Sequence, residues 1–283
     1  GDRRGLGGLR TVGAVYQLLA FAVPRPKALL GHEHFSRLTA AVRSIQAVHA
    51  FRGFRLSAAG DDSAVFARLS ENLARATGLA RSDEGELLLR VRPAPSGWEV
   101  LVRLTPRPLS ARSWRVCNLG GGLNAALAAA MVDLADIGEG ARVFNPMCGS
   151  GTLLVEAGLK QPGAPLLGCD VEEKALRCSA ENAAAAGVGA TLQRADAAAT
   201  GLGPGSFDII LCDPPWGDAV GTHRYNETLY PALLAECARV AAPGARLVLL
   251  THELRLFGRT LHEQSAWRVE QEFRVFHGGH YPR

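Results

Sequence analysis

Five short apolar runs, each leading into a polar residue and each parted from the next by an alanine-rich stretch, govern what residues 142–251 can fold into. They are Arg142–Asn145, Leu166–Asp170, Thr191–Asp196, Phe207–Asp213 and Arg246–Thr251. Runs of this length and composition suit strands covered on both faces. Their alternation with helical stretches predicts a mostly parallel, doubly wound α/β sheet with crossover helices. In such a sheet ligands bind beyond the carboxyl ends of the strands, so the residues that close each run are the candidates for function.

The chain before this pattern reads as a smaller α+β region. Thr11–Val23 is a candidate strand, Ala28–Ala47 a helix and Phe51–Leu56 a second strand. Asp61-Asp62-Ser63 is suited to cap a helix that carries Phe66, Leu69 and Leu73 on one face and ends at Gly78. Glu86–Arg92 and Trp98–Leu104 flank a turn-like Pro93–Gly97 stretch, which predicts a hairpin. Thr105–Asn118 is polar and holds Pro106 and Pro108. It is read as connecting chain, with the linker itself at 111–118. Leu123–Ile137 then reads as a helix, and the later Trp267–Phe276 run as a strand that turns at Gly278-Gly279.

Charge divides along the same line. Residues 1–118 hold 18 Lys and Arg against 9 Asp and Glu, whereas residues 119–283 hold 13 against 18. A basic first half joined to an acidic second half suits a polyanionic partner. An arginine-rich composition with only three lysines would give the same excess. No segment is apolar for long enough to cross a membrane. The six cysteines show neither CxxC spacing nor histidine partners, so they read as reduced thiols of a cytoplasmic protein, with no structural zinc. His32 with His34, and His277 with His280, lack the carboxylate or thiol company of a metal site.

The strand ends are more informative. After the first comes Asn145-Pro146-Met147-Cys148-Gly149-Ser150-Gly151-Thr152, where glycines admit a ligand close to the backbone at a helix N-terminus. Asp170, 19 residues past Gly151, is placed to take ribose hydroxyls. Asp196 suits an exocyclic amine or a helix cap. The fourth end is Asp213-Pro214-Pro215-Trp216-Gly217-Asp218. A dinucleotide fingerprint would place glycine where Leu154 stands, so the helix is expected to sit farther from the sheet and leave room for another ligand. The loop has no lysine or arginine, which argues against a nucleoside triphosphate.

Asp213-Pro214-Pro215-Trp216 resembles the (D/N)PP(Y/F/W) motif of class I S-adenosylmethionine-dependent methyltransferases that modify exocyclic amines. Asn145–Leu154 resembles the DPMCGSGT-type loop of the guanine-N2 RNA methyltransferases that carry a THUMP domain. Gly121–Met131, Leu229–Leu234 and Arg239–Gly244 match further segments of that family, and the likeness is most specific over residues 119–217. The resemblance implies a Rossmann-like methyltransferase domain at 119–283. It also implies a THUMP-like RNA-binding domain at 50–110 and part of a ferredoxin-like domain at 1–49.

It further implies S-adenosylmethionine as cofactor, held by Gly122, Leu123, Asn145, Met147, Cys148, Gly149, Ser150, Gly151, Thr152, Asp170, Asp196, Ala197 and Asp213. An aromatic amine is a poor nucleophile because its lone pair is delocalised. Asp213 and the Pro214 carbonyl would accept its two N–H bonds, and Trp216 would stack on the flipped base. Arg52, Arg55, Arg112, Arg115 and Arg224 are the candidates for RNA contact, with a solvated loop as the alternative for Arg224. The expected substrate is a guanosine in tRNA, at acceptor-stem nucleotide 6, with a monomeric enzyme and no metal. Guanine in rRNA, adenine in DNA, and an RNA-binding protein that has lost turnover remain open. An NAD-dependent oxidoreductase is weakened by Leu154. Asn145 departs from the family's usual aspartate.

Overall fold

A computed structural model describes residues 4–216, 222–276 and 282. The turn expected at Gly278-Gly279, His277, His280, Gly217 and Asp218 lie outside them. The chain divides into two units, Gly1–Ala111 and Arg112–Arg283.

The first unit is a four-stranded sheet with two helices. Strands β1 (Tyr16–Phe21), β2 (Phe54–Ser57), β3 (Leu87–Ala94) and β4 (Gly97–Arg103) lie in the order β1-β4-β3-β2. The predicted hairpin is present, with β3 and β4 antiparallel and Arg92 bonded across the pair to Glu99 at 2.8 Å. Gly97 lies at φ +136°, and a Cβ there would come within 2.2 Å of the Phe21 carbonyl oxygen, so only glycine fits the close approach of β1. Helices α1 (His32–Gln46) and α2 (Ala64–Thr77) share one apolar core with the sheet, through Leu38, Val42, Leu69, Leu73, Phe54 and Leu87. A boundary at 49/50 is therefore corrected. β1 and α1 are not a separate domain, because the backbone of β1 finds its partners on β4, from Tyr16 opposite Arg103 to Phe21 opposite Trp98.

The second unit carries the doubly wound α/β sheet. β5 (Val143–Asn145), β6 (Leu166–Asp170), β7 (Thr191–Arg194), β8 (Phe207–Cys212) and β9 (Ala241–Leu249) lie in the order β7-β6-β5-β8-β9, all parallel. Alternation along the strands splits the core. Val143, Ile209 and Leu211 face α3 (Ala125–Ala135) and α4 (Thr152–Lys160), while Phe144, Ile210 and Cys212 face α6 (His223–Val240). Both faces are covered, as the unbroken apolar runs required. α5 (Glu173–Ala186) follows β6, and α7 (Leu254–Glu263) follows β9. β9 begins earlier than expected, absorbing Pro243-Gly244 as an irregularity, with Gly244 at φ +79°.

Two further expectations are corrected. Residues 111–118 are not a free linker. From Arg112 onward they pack as a strap on the second unit: Trp114 is buried against Ala125, Val155 and Ala183, and Arg112 pairs with Glu156 at 2.9 Å in a nearly dry setting. The backbone N–H groups of Val116 and Cys117 donate to Asn182 Oδ1, and Cys117 is joined to Cys178 of α5 by a disulfide, so the six cysteines are not all thiols. Trp267–Phe276 is not a strand. The Trp267 indole anchors to the Leu234 carbonyl at 3.1 Å and Val275 N–H donates to the Pro282 carbonyl at 3.1 Å, but Val269, Phe273 and Phe276 are exposed and no strand is formed over the described part of the run.

The expectation that Leu154 holds the helix away from the sheet also changes. Leu154 is fully buried and points at Gly168, where a Cβ would come within 2.5 Å of Leu154 Cδ1. The glycine that permits close packing has moved from helix to strand. Gly168→Ala is expected to overpack this contact and destabilise the protein by about 1–3 kcal/mol, read as a lower urea midpoint at unchanged slope.

Candidate active site

The candidate site forms at the carboxyl ends of β7, β6, β5 and β8. The strand order reverses beside β5, the first of these in the chain, and this is the switch point where such sheets bind ligands. Gly149 at φ +51° and Gly151 at φ +76° turn the chain from β5 into α4, conformations that cost a side-chain residue but not glycine. A Cβ on Gly151 would lie 2.3 Å from Ser179 Oγ. The loop is bonded to the neighbouring strand end: Cys148 N–H donates to the Cys169 carbonyl at 2.8 Å and Gly149 N–H to Asp170 Oδ2 at 2.9 Å. Asp170 Oδ1 also accepts from Glu172 N–H, so its carboxylate shapes the loop it was expected to serve. Buried Asn145 accepts from Met147 N–H through Oδ1 at 3.2 Å, a bond that an amide makes as well as a carboxylate.

Gly122 lies beside this loop, within van der Waals reach of Ser150 Oγ had it a Cβ, and Asn124 caps α3 by accepting from Ala126 and Leu127 N–H. Cys148 is not a nucleophile: burial pushes its thiol up to about 12. Asp196 is exposed and accepts from Ala198 N–H at 2.9 Å, the turn-capping alternative, while Ala197 is buried behind it.

Asp213 differs from the other acids. Its Oδ1 is buried without a hydrogen-bond partner among the described residues, and burial pushes its carboxyl up to about 7, offset in part by the neighbouring Trp216 side chain. The residues after it are fixed by groups that sequence reading did not single out. Asn226 Nδ2 and the Tyr230 hydroxyl, one helical turn apart on α6, both donate to the Pro215 carbonyl, at 2.9 and 3.2 Å. The Tyr230 hydroxyl also meets Thr251 Oγ1 at 2.8 Å, and Asn226 Nδ2 donates to Glu253 Oε1 at 3.1 Å. Glu253 in turn is bonded to His223 Nδ1. The signal was available as two polar residues at i and i+4 on a helix face otherwise made of leucines.

The arginines expected at RNA separate into two groups. Arg55 and Arg224 are exposed, and Arg52 is exposed but paired with Glu86 at 2.8 Å. Arg112 and Arg115 are corrected: both are inward. Arg115 Nη2 donates to the Leu123 carbonyl at 2.6 Å and to Thr152 Oγ1 at 2.5 Å, its guanidinium lies over the Trp114 ring, and its Nε is buried without a partner. It ties the segment before α3 to the first residue of α4. Among the described residues no group of three or more His, Cys, Asp or Glu side chains could hold a metal.

Residues 112–283 match the model of UPF0020, the RMKL-like methyltransferase domain. The chain belongs to this family. It is similar to the tRNA (guanine(6)-N2)-methyltransferase of Thermus thermophilus, 36% identical over 220 residues that are 76% of this chain and 64% of the relative. It is also similar to the human U6 snRNA (guanine-N(2))-methyltransferase THUMPD2, 35% identical over 134 residues, 47% of this chain and 26% of that one. The solved structure of TrmN from Thermus thermophilus superposes with a TM-score of 0.74 at 28% identity, covering 98% of this chain and 83% of that one. The chain thus spans less than two thirds of the length of the curated methyltransferases it matches.

Methyltransferases of this class use S-adenosylmethionine, and the residues present fit it. The position of a Cβ on Gly149 is open, the glycine turn bares backbone at the N-terminus of α4, and a buried acceptor without a partner waits at Asp213. Two outcomes are expected. Removing the charge by Asp213→Asn relieves a penalty that is absent below the ordinary carboxylate range and complete above about pH 7. The variant should therefore melt higher than wild type at pH 8, by on the order of 1–3 kcal/mol, with no gain at pH 4. Arg115→Met should weaken S-adenosylhomocysteine about tenfold in calorimetric titration, while tRNA affinity is unchanged.

Proposed function

We propose that this protein transfers a methyl group from S-adenosylmethionine to the exocyclic N2 amine of a guanosine in tRNA, at nucleotide 6 of the acceptor stem. The observation that carries the reading is the buried, unpartnered Asp213 Oδ1, followed by Pro214-Pro215-Trp216, whose Pro215 carbonyl is already taken by Asn226 and Tyr230. The names of the relatives support the substrate, and the match to TrmN supports the fold that holds it.

The donor, when bound, supplies an electrophilic methyl group. Gly122, Leu123 and the Asn145–Thr152 loop would hold it, with Asp170 toward the ribose hydroxyls. Asp213 would accept one N–H of the guanine amine and the Pro214 carbonyl the other, drawing the lone pair out of the ring. Methylation would break the donor's sulfur–methyl bond, its electron pair staying on the sulfur, as the amine nitrogen gains the methyl and loses a proton, and a carboxylate with its affinity raised toward neutrality is suited to receive that proton at Oδ1. Trp216 would stack on the extruded base.

The first unit supports the reading as a THUMP-like RNA-binding body. Arg52, Arg55 and Arg107 line one cavity of about 250 Å³, beside Glu84 and Glu86, with Arg103 buried beneath on the Thr105, Glu86 and Pro106 carbonyls, and phosphate contacts from exposed arginines add affinity without reading sequence. Action on tRNA fits a cytoplasmic protein, with a monomer as the working state.

The test is transfer of labelled methyl from S-adenosylmethionine to unmodified tRNA, followed by nucleoside analysis. N2-methylguanosine is expected from wild type, with Asp213→Ala slower by about 10²-fold or more. Since the carboxylate form is the competent acceptor, wild-type kcat/KM should rise with pH through about 7 and then level. Label in snRNA or rRNA but not in tRNA would replace the substrate. Label in an adenine would sink the reading.

A further inference from the structure

A second cavity, of about 560 Å³, opens between the first turns of α6 and α7 and is lined by His223, Glu227, Glu253, Arg255, Leu256 and Arg259. It is contiguous with the candidate base pocket through bonded side chains. Glu253 accepts from Asn226 Nδ2, and the same nitrogen donates to the Pro215 carbonyl.

Charge in the cavity is unevenly settled. Glu253 is bonded to both His223 and Asn226. Arg255 and Arg259 stand at i and i+4 on one face of α7, both exposed, and neither forms an ion pair among the described residues. Glu227 and Glu253 are the acids in its lining, so two guanidinium groups that form no ion pair among the described residues face two carboxylates, of which Glu253 is already bonded to His223 and Asn226. Leu256, buried and apolar, lines it between the two arginines in sequence. A guanidinium is planar and offers paired donors, a geometry that matches phosphate oxygens.

We propose that this cavity takes a backbone phosphate of the substrate RNA adjacent to the nucleotide held at Asp213–Trp216. The proposal rests on the RNA-methylation reading and adds a subsite to it. The cavity is open and larger than a lone phosphate needs, as suits a strand running through it.

The test uses Arg255→Ala/Arg259→Ala in the full chain, with Arg255→Lys/Arg259→Lys as the conservative partner. The readouts are tRNA affinity by fluorescence anisotropy across a salt series, KM and kcat for tRNA, S-adenosylhomocysteine affinity and melting temperature. The alanine pair is expected to raise Kd and KM for tRNA about tenfold and to flatten the log–log salt slope by about 1. The kcat at saturating tRNA, the cofactor affinity and the melting temperature should stay unchanged, and the lysine pair should recover most of the affinity. Wild-type Kd and slope in the alanine pair would overturn the proposal. So would a fall in kcat alone, which would mean disturbance of the Glu253–Asn226 link. Saturable binding of inorganic phosphate at constant ionic strength, with tRNA affinity untouched by the substitutions, would assign the cavity to a free anion instead. Failure of the parent reading looks different: wild type would bind tRNA and transfer no label, and the anisotropy comparison would still decide the phosphate site.

Discussion

A parallel strand buried on both faces can meet a ligand only where its pairing ends. In the second unit β5 pairs with β6 on one side and β8 on the other, and the chain must leave β5 and β8 toward opposite faces of the sheet. That divergence opens the crevice at their carboxyl ends. The glycine turn at 149–151, the acid at 170 and the Asp213 loop are each attached to a neighbouring strand end, so their mutual placement is inherited from the ladder rather than arranged separately. Disturbing the register by one residue would turn Phe144 and Val143 to the wrong faces and move every one of these groups.

Asp213 shows what the site demands of the fold. A carboxylate taken from water and left with an unpartnered oxygen opposes stability, which the raised proton affinity expresses. The surroundings compensate by rigidity rather than by neutralising the charge. Asn226 and Tyr230 hold the Pro215 carbonyl from α6, Thr251 steadies the Tyr230 hydroxyl, and none of the three is bonded to Asp213 itself among the described contacts. An acceptor left without a partner among the described residues keeps its capacity for a hydrogen-bond donor, whereas an arginine beside it would have quenched it.

The strap of residues 112–118 gives a second lesson in context. Arg112 and Arg115 are the same residue type as Arg52 and Arg55, in the same basic half of the chain. Only the latter pair is exposed. Trp114 settles the matter. Burying its ring against Ala125, Val155 and Ala183 draws its neighbours inward, where Arg112 finds Glu156 and Arg115 finds Leu123 and Thr152. A count of charges reports how many arginines there are and nothing about which of them water can reach.

The sequence by itself determined the α/β class, the strands of the second sheet to within a few residues, and the four strand ends that make up the candidate site. These are local properties: apolar run length, glycine turns and the acid that closes each run do not depend on distant partners. Tertiary structure alone decided that β1 and α1 join β2–β4 in one body, that Cys117 meets Cys178, that Gly168 rather than a helical glycine makes room for Leu154, and that the Trp267 indole anchors to the Leu234 carbonyl. It also decided that Asn226 and Tyr230, with Glu253 behind Asn226, brace the loop after Asp213. Each of these is a contact between residues far apart in the chain, and a one-dimensional pattern carries no information on which distant surface will supply the missing hydrogen bond, counter-charge or void.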